Sequence, residues 1–222
     1  GGFGIKADSI ASYSHFCQWV ITVFMLLFGV SFNMYYLLLI KRWREVLKSN
    51  ELKCYLGISL AAMIIIVLSI MPLYGSIADA VRLSAFQVSS IVTTTGYATA
   101  DFDAWPSLAK AVLLILMFFG GCMGSTAGGL KMSRVTVLAQ IARNDLRHAL
   151  RPREVSTVIL NGRRVDAQGE RQILSYFALY IAVIGAVFLL ISFEPFGIET
   201  NFSATVSCVN NIGPGFGQVG PS

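Results

Sequence analysis

Hydrophobic residues run along this chain in long blocks, not at the spacing of an amphipathic helix or a half-buried strand. No Asp, Glu, Lys or Arg occurs in residues 9–40, 54–78, 111–130 or 172–193. Each block reaches the roughly 20 residues that an α-helix needs to cross the hydrocarbon layer of a bilayer, so four spanning helices are expected. Two further uncharged stretches, 83–100 and 200–222, are rich in Ser, Thr, Asn and Gly. That composition suits a segment that enters a membrane without crossing it, because its polar backbone needs protein or water around it.

The blocks repeat. Placing Gly96 over Gly213, an offset of 117, aligns Ser90-Ile91-Val92-Thr93-Thr94-Thr95-Gly96 with Ser207-Cys208-Val209-Asn210-Asn211-Ile212-Gly213. Both copies carry a basic loop, a spanning helix, a short acidic bend, a polar half-helix and a Gly-containing turn. In the first copy the pattern predicts a helix over 54–73, a half-helix over 80–92, a turn over 93–97 and a returning helix from Trp105. The second predicts a helix over 172–193, a half-helix over 201–209 and a turn over 210–217. Gly1-Gly2-Phe3-Gly4 fits the tail of an earlier turn, with Gly2-Phe3 matching Gly96-Tyr97 and 16–40 as its returning helix, so the chain looks cut in mid-motif. The implied division is 1–53, 54–150 and 151–222. The class is an all-α membrane protein of repeated helix-pore-helix units.

The chemistry of such a unit lies in its turn, where Thr and Gly can aim carbonyl oxygens at a common axis. Thr94-Thr95-Gly96-Tyr97 resembles the Thr-Val-Gly-Tyr of potassium-channel filters, in which carbonyls replace the hydration shell of a cation. Gly1, Gly2, Phe3, Thr93, Thr94, Thr95, Gly96, Tyr97, Asn210, Asn211, Ile212 and Gly213 are the candidate filter residues for K+. The plain alternative is a tight extracellular turn.

A second unusual segment holds Gly120, Gly121, Gly124, Ser125, Thr126, Ala127, Gly128, Gly129 and Lys131. Five glycines in ten residues cannot propagate a helix at a loss of roughly 1 kcal/mol each, so the returning helix should break here. An intramembrane loop acting as a gate is the favoured reading. Close helix packing through G-x-x-x-G is an alternative. A phosphate loop is a poor fit, since Leu130 stands where Lys is required and no strand precedes it.

Composition agrees with a lipid solvent: 55% of the residues are apolar and 13% charged, against about 25% charged in soluble domains. Loops 41–53 and 131–171 carry 14 of the 17 Lys and Arg. The positive-inside rule therefore makes them cytoplasmic and turns the filter segments outward. That rule also accounts for the net charge of +5, leaving no case for nucleic acid. The four cysteines are scattered without a C-x-x-C pair, which supports neither disulfides nor zinc. Nor do the spans hold paired acids or a Ser/His couple for an embedded enzyme; Asp79, Asp101, Asp103, Glu194 and Glu199 all fall at predicted edges. Arg143, Arg147, Arg151 and Arg153 cluster near Pro152, at the far end of a Gly- and Pro-free helix that could link a soluble partner to the Gly-rich break.

Thr93 to Tyr97, the break at 120–131 and Asn210-Asn211-Ile212-Gly213-Pro214-Gly215-Phe216-Gly217, in this order, resemble the TrkH/KtrB potassium-uptake family from its second filter turn to its fourth. The resemblance implies four covalently joined repeats in a cell-membrane subunit, paired as a homodimer. It also implies an intramembrane gating loop in the third repeat and a cytoplasmic ring of nucleotide-binding regulatory subunits, the sole place for a nucleotide. A sodium-permeable or ion-coupled transporter of the same fold, a membrane-embedded enzyme and a structural subunit are the competing functions.

Overall fold

In a computed structural model the structure describes residues 6, 8–151 and 157–221. Nine α-helices carry the described fold: α1 His15–Phe28, α2 Phe32–Leu39, α3 Trp43–Lys48, α4 Asn50–Tyr74, α5 Ile77–Val92, α6 Ser107–Leu116, α7 Met132–Leu150, α8 Ala167–Ile191 and α9 Ile198–Val209.

Two of them, α4 and α8, are each long and apolar enough to cross a membrane. Both are 25 residues long and keep the offset of 117 at each end, as do the ends of α5 and α9. Capping is shared too. The Ser49 hydroxyl accepts from Leu52 N at 3.3 Å and the Asp166 carboxylate from Gly169 N at 2.9 Å, each satisfying one of the orphan donors of a helix start. Leu60, Ile64 and Leu68 of α4 and Leu179, Leu189 and Leu190 of α8 are exposed, an apolar surface suited to lipid. The other face of α4, with Tyr55, Ile66 and Ile70, packs with Val88 and Val92 of α5, Leu113 of α6 and Phe216 in one buried cluster.

Both returning helices depart from a simple span. The expected helix over 16–40 is split into α1 and α2, bent by 90° at residues 29–31. Crowding at the bend requires glycine: a Cβ on Gly29 would lie 2.2 Å from the Tyr55 hydroxyl and 2.9 Å from Thr93 Cγ2. Tyr55 in turn donates to the carbonyl freed at Leu26, at 3.0 Å, and Tyr35 donates to Leu27 at 2.5 Å. Block 111–130 is likewise no spanning helix, because α6 stops at Leu116 and the Gly-rich segment follows. Two blocks thus fail as continuous spans for one reason: apolar content promises burial but not an unbroken hydrogen-bond ladder.

The long basic loop contains regular elements. α7 takes its first half, and a two-stranded hairpin pairs Ile159–Leu160 with Arg163–Arg164 around Asn161 and Gly162, both at positive φ, as a type I′ turn requires. Asn161 Oδ1 accepts from the Ser49 hydroxyl at 3.0 Å and from Asn50 N at 3.1 Å, anchoring the hairpin on the start of α4.

Gly29→Ala is expected to lower stability by about 1–3 kcal/mol. Adding Tyr55→Phe, which removes the clashing hydroxyl, should restore part of the loss. A double-mutant cycle on thermal unfolding in detergent checks this; strict additivity would contradict it.

Candidate ion-conduction site

The two turns are built by one backbone rule. After α5 the amide of Thr95 donates to Ser90 O at 2.8 Å and that of Thr94 to Ile91 O at 3.0 Å; after α9, Ile212 donates to Ser207 O at 2.8 Å and Asn211 to Cys208 O at 3.1 Å. These bond pairs define the Schellman closure, whose pivot residue must be left-handed. Thr94 and Asn211 fill that position at φ 52° and 58°. Asn tolerates it. A β-branched Thr does so at a cost of about 1–2 kcal/mol, and such strain persists only where surrounding contacts enforce it.

Gly96 and Gly213 follow at φ +82° and +124°. The turns meet here: a Cβ on Gly96 would lie 2.0 Å from the Ile212 carbonyl oxygen, while one on Gly213 would find nothing nearer than Gly96 Cα at 3.8 Å. Serines at equivalent positions brace both turns, Ser90 Oγ donating to Tyr97 O at 2.6 Å and Ser207 Oγ accepting from Gly213 N at 3.0 Å. Thr93 Oγ1 donates to Ser89 O at 2.6 Å. The ends of α5 and α9 that lead into the turns are C-terminal, so their dipoles present partial negative charge there. Gly1, Gly2 and Phe3 lie outside the described residues, but the segment after them is tied to the first turn: Ile10 N donates to Ala98 O at 3.0 Å and Ala98 N to Ser9 Oγ at 3.1 Å.

The Gly-rich segment does break the helix. Its ends close on themselves, Gly120 N donating to Leu130 O at 2.9 Å and Met132 N to Gly121 O at 3.1 Å. Its middle reaches the turns. Gly128 N donates to Thr94 Oγ1 at 2.7 Å, and a Cβ on Gly128 would fall 2.5 Å from Asn210 O. Its flank pairs with the other break: Cys122 N donates to Gly29 O at 2.8 Å and Phe32 N to Gly124 O at 3.2 Å. The Lys131 ammonium donates to the Ala127 carbonyl within the same loop. Gly121, Ser125, Thr126 and Gly129 complete the segment.

Several residues that hold this site gave no functional signal in the sequence. Tyr180 of α8 donates to Asn210 Oδ1 at 2.8 Å, and the Asn210 amide donates back to Val206 O at 2.9 Å. Arg82 of α5 donates to Gln18 of α1 and, at 2.8 Å, to Asp79; its hydrogen bond holds the Asp79 carboxyl below the usual carboxylate range. Glu51, an acid within the basic stretch 41–53, is 3% exposed.

The broken helices, the two equivalent Schellman-closed turns and the loop wedged against them define an all-α membrane-protein fold of repeated helix-pore-helix units. The family model of TrkH, described as a cation transport protein, matches residues 1–221; the chain belongs to the TrkH family. It is 30% identical over its whole length to the Trk system potassium uptake protein TrkG of Escherichia coli, covering 46% of that protein. Against the potassium uptake protein TrkH of Salmonella typhimurium it is 29% identical over 99% of the chain and 46% of the relative. The crystal structure of the potassium transporter TrkH from Vibrio parahaemolyticus superimposes with a TM-score of 0.90 at 27% identity, over 99% of this chain and 48% of that one. The chain therefore spans about half the length of these relatives.

Gly96→Ala faces both a positive φ and a backbone collision, Gly213→Ala a positive φ alone. Gly96→Ala is expected to cost about 1–3 kcal/mol more, as read by melting of the purified protein in potassium; equal losses would contradict the asymmetry.

Proposed function

We propose that the complete protein takes up potassium across the cell membrane through a filter of backbone carbonyls, contributed by turns 93–97 and 210–213 and by Gly1, Gly2 and Phe3. The Gly-rich loop 120–131 serves as its gate. One observation carries this reading: two turns of equal backbone conformation, one from each copy of the repeat, meet at Gly96 and Ile212 while Gly128 of the loop contacts both.

A dehydrated monovalent cation needs several oxygens at once, and carbonyl rings supply them without a formal charge that would hold the ion too tightly. Copies need not share side chains, since Thr93-Thr94-Thr95 and Asn210-Asn211-Ile212 present the same main chain. The names of the relatives favour potassium as the ion. A loop bonded to the first turn at Thr94 and packed against Asn210 of the second stands where a passing ion must go. Its glycines let it move with little steric penalty.

The basic loops face the cytosol in this reading and the filter turns face outward. α7 links the loop to a cytoplasmic docking surface, since it runs unbroken from Met132 to Leu150 and exposes Arg143 and Arg147. A homodimer in lipid, contacted by a ring of nucleotide-binding regulatory subunits, is the assembly proposed; nucleotide acts only through that ring.

Potassium flux into vesicles reconstituted with the complete protein tests the core of the proposal, and equal sodium flux would sink it. Deleting two or three residues from 124–129 should raise flux several-fold per inserted molecule, in line with loss of a barrier of about 1 kcal/mol; unchanged or lower flux argues against a gate. Reversing the charge of Arg143 and Arg147 should leave basal flux intact and abolish activation by the nucleotide-binding partner, measured by binding and flux with that partner purified.

A further inference from the structure

Glu51 lies in the first turn of α4 and is buried. Its Oε1 accepts two backbone hydrogen bonds, from Met123 N at 2.5 Å and from Ser133 N at 3.0 Å. Those donors bracket residues 124–132, the part of the break that holds Gly124, Gly128, Gly129 and Lys131. The second donor belongs to the first turn of α7, whose own N-cap, Lys131, makes no side-chain cap and whose first turn has no acid. An acceptor from another helix thus does the work that a local cap usually does, and a carboxylate there is favoured by the helix dipole. The corresponding position in the second copy is Gln168, so the acid belongs to one copy of the repeat.

We propose that Glu51 is the positioning residue that latches the Gly-rich loop against the filter turns: its carboxylate holds both ends of the mobile stretch, and opening requires both bonds to part. The proposal rests on the gating reading given above. Thr94 grips the loop's tip through Gly128 and Glu51 grips its stem at two points, so movement of the tip alone breaks one bond, whereas release at Glu51 loosens both ends and leaves the stem to its backbone bonds with Gly29 and Gly121. Without Glu51 the Ser133 N–H would be left unpaired in a buried site and the Met123 N–H in a half-buried one, a cost the loop escapes by moving to water.

The native Cys122, fully buried beside Met123, reports that movement. In the complete protein in vesicles, with Cys17, Cys54 and Cys208 replaced by alanine, a membrane-permeant maleimide should label Cys122 at least about tenfold faster in Glu51→Ala. Glu51→Gln, which keeps one acceptor oxygen, should fall between. A control cysteine at Ala109→Cys, at a fully buried position in α6, placed in a Cys122→Ala background, should label at an unchanged rate. Faster Cys122 labelling with raised potassium flux supports both latch and gate. Faster labelling with unchanged flux supports the latch and removes the gate. Unchanged Cys122 labelling, or equal acceleration at both cysteines, overturns the latch.

Discussion

Everything irregular in this structure answers to one constraint: a backbone N–H or carbonyl at membrane depth must find a protein partner or water, because lipid offers none and each omission costs several kcal/mol. Regular helices meet it internally. The two breaks and the two turns cannot, and the tertiary structure is arranged around supplying their partners. Tyr55 and Tyr35 donate to the carbonyls at the end of α1, the Gly29 carbonyl accepts from the Cys122 amide while the Gly124 carbonyl accepts from that of Phe32, and Ser90 and Ser207 brace the turns. Non-helical backbone is thereby concentrated in one place and held there by bonds that are few and identifiable.

Concentration has a mechanical side. The two turns, the Gly-rich loop and the bend at Gly29 share contacts within a few ångströms. Gly29 faces Thr93, Gly128 faces Thr94 and Asn210, and Gly121 faces the Gly29 carbonyl. A side chain larger than hydrogen would displace backbone at Gly121 and Gly128 and the Tyr55 and Thr93 side chains at Gly29. Close approach of this kind makes the region stiff against small displacements and open only to discrete ones, since packed interfaces rearrange between alternatives and do not deform smoothly.

Much of this was legible in the residues. The offset of 117 holds to the residue at three helix ends and through both turns, because the repeat is written in features that act locally: a cap at Ser49 or Asp166, a half-helix ending two residues before a left-handed pivot, then Gly. The break at 120–131 was visible for the same reason, since glycine loses its helical preference wherever it stands. The bend at 29–31 was not visible. One Gly in an apolar run is compatible with a helix, and the residues that crowd the bend, Tyr55 and Thr93, are distant in sequence. Glu51 was hidden in a basic loop because its partners are main-chain amides 72 and 82 residues away, which leave no mark on local composition. The hairpin at Asn161-Gly162 did carry a local sign, the Asn-Gly pair, overshadowed by the charge around it.

The bond from Cys122 to the Gly29 carbonyl has a consequence in time. Roughly 90 residues separate acceptor from donor, and chains are synthesised at about 5–20 residues per second. The Gly29 carbonyl therefore waits some 5–20 seconds for its partner, and Tyr55 and Thr93, which crowd the bend, are themselves made only part-way through that interval. Until then residues 29–31 must stay helical, stay wet or be shielded by the insertion machinery. The interlocked arrangement is a late event of biogenesis, completed only once the second break has been made.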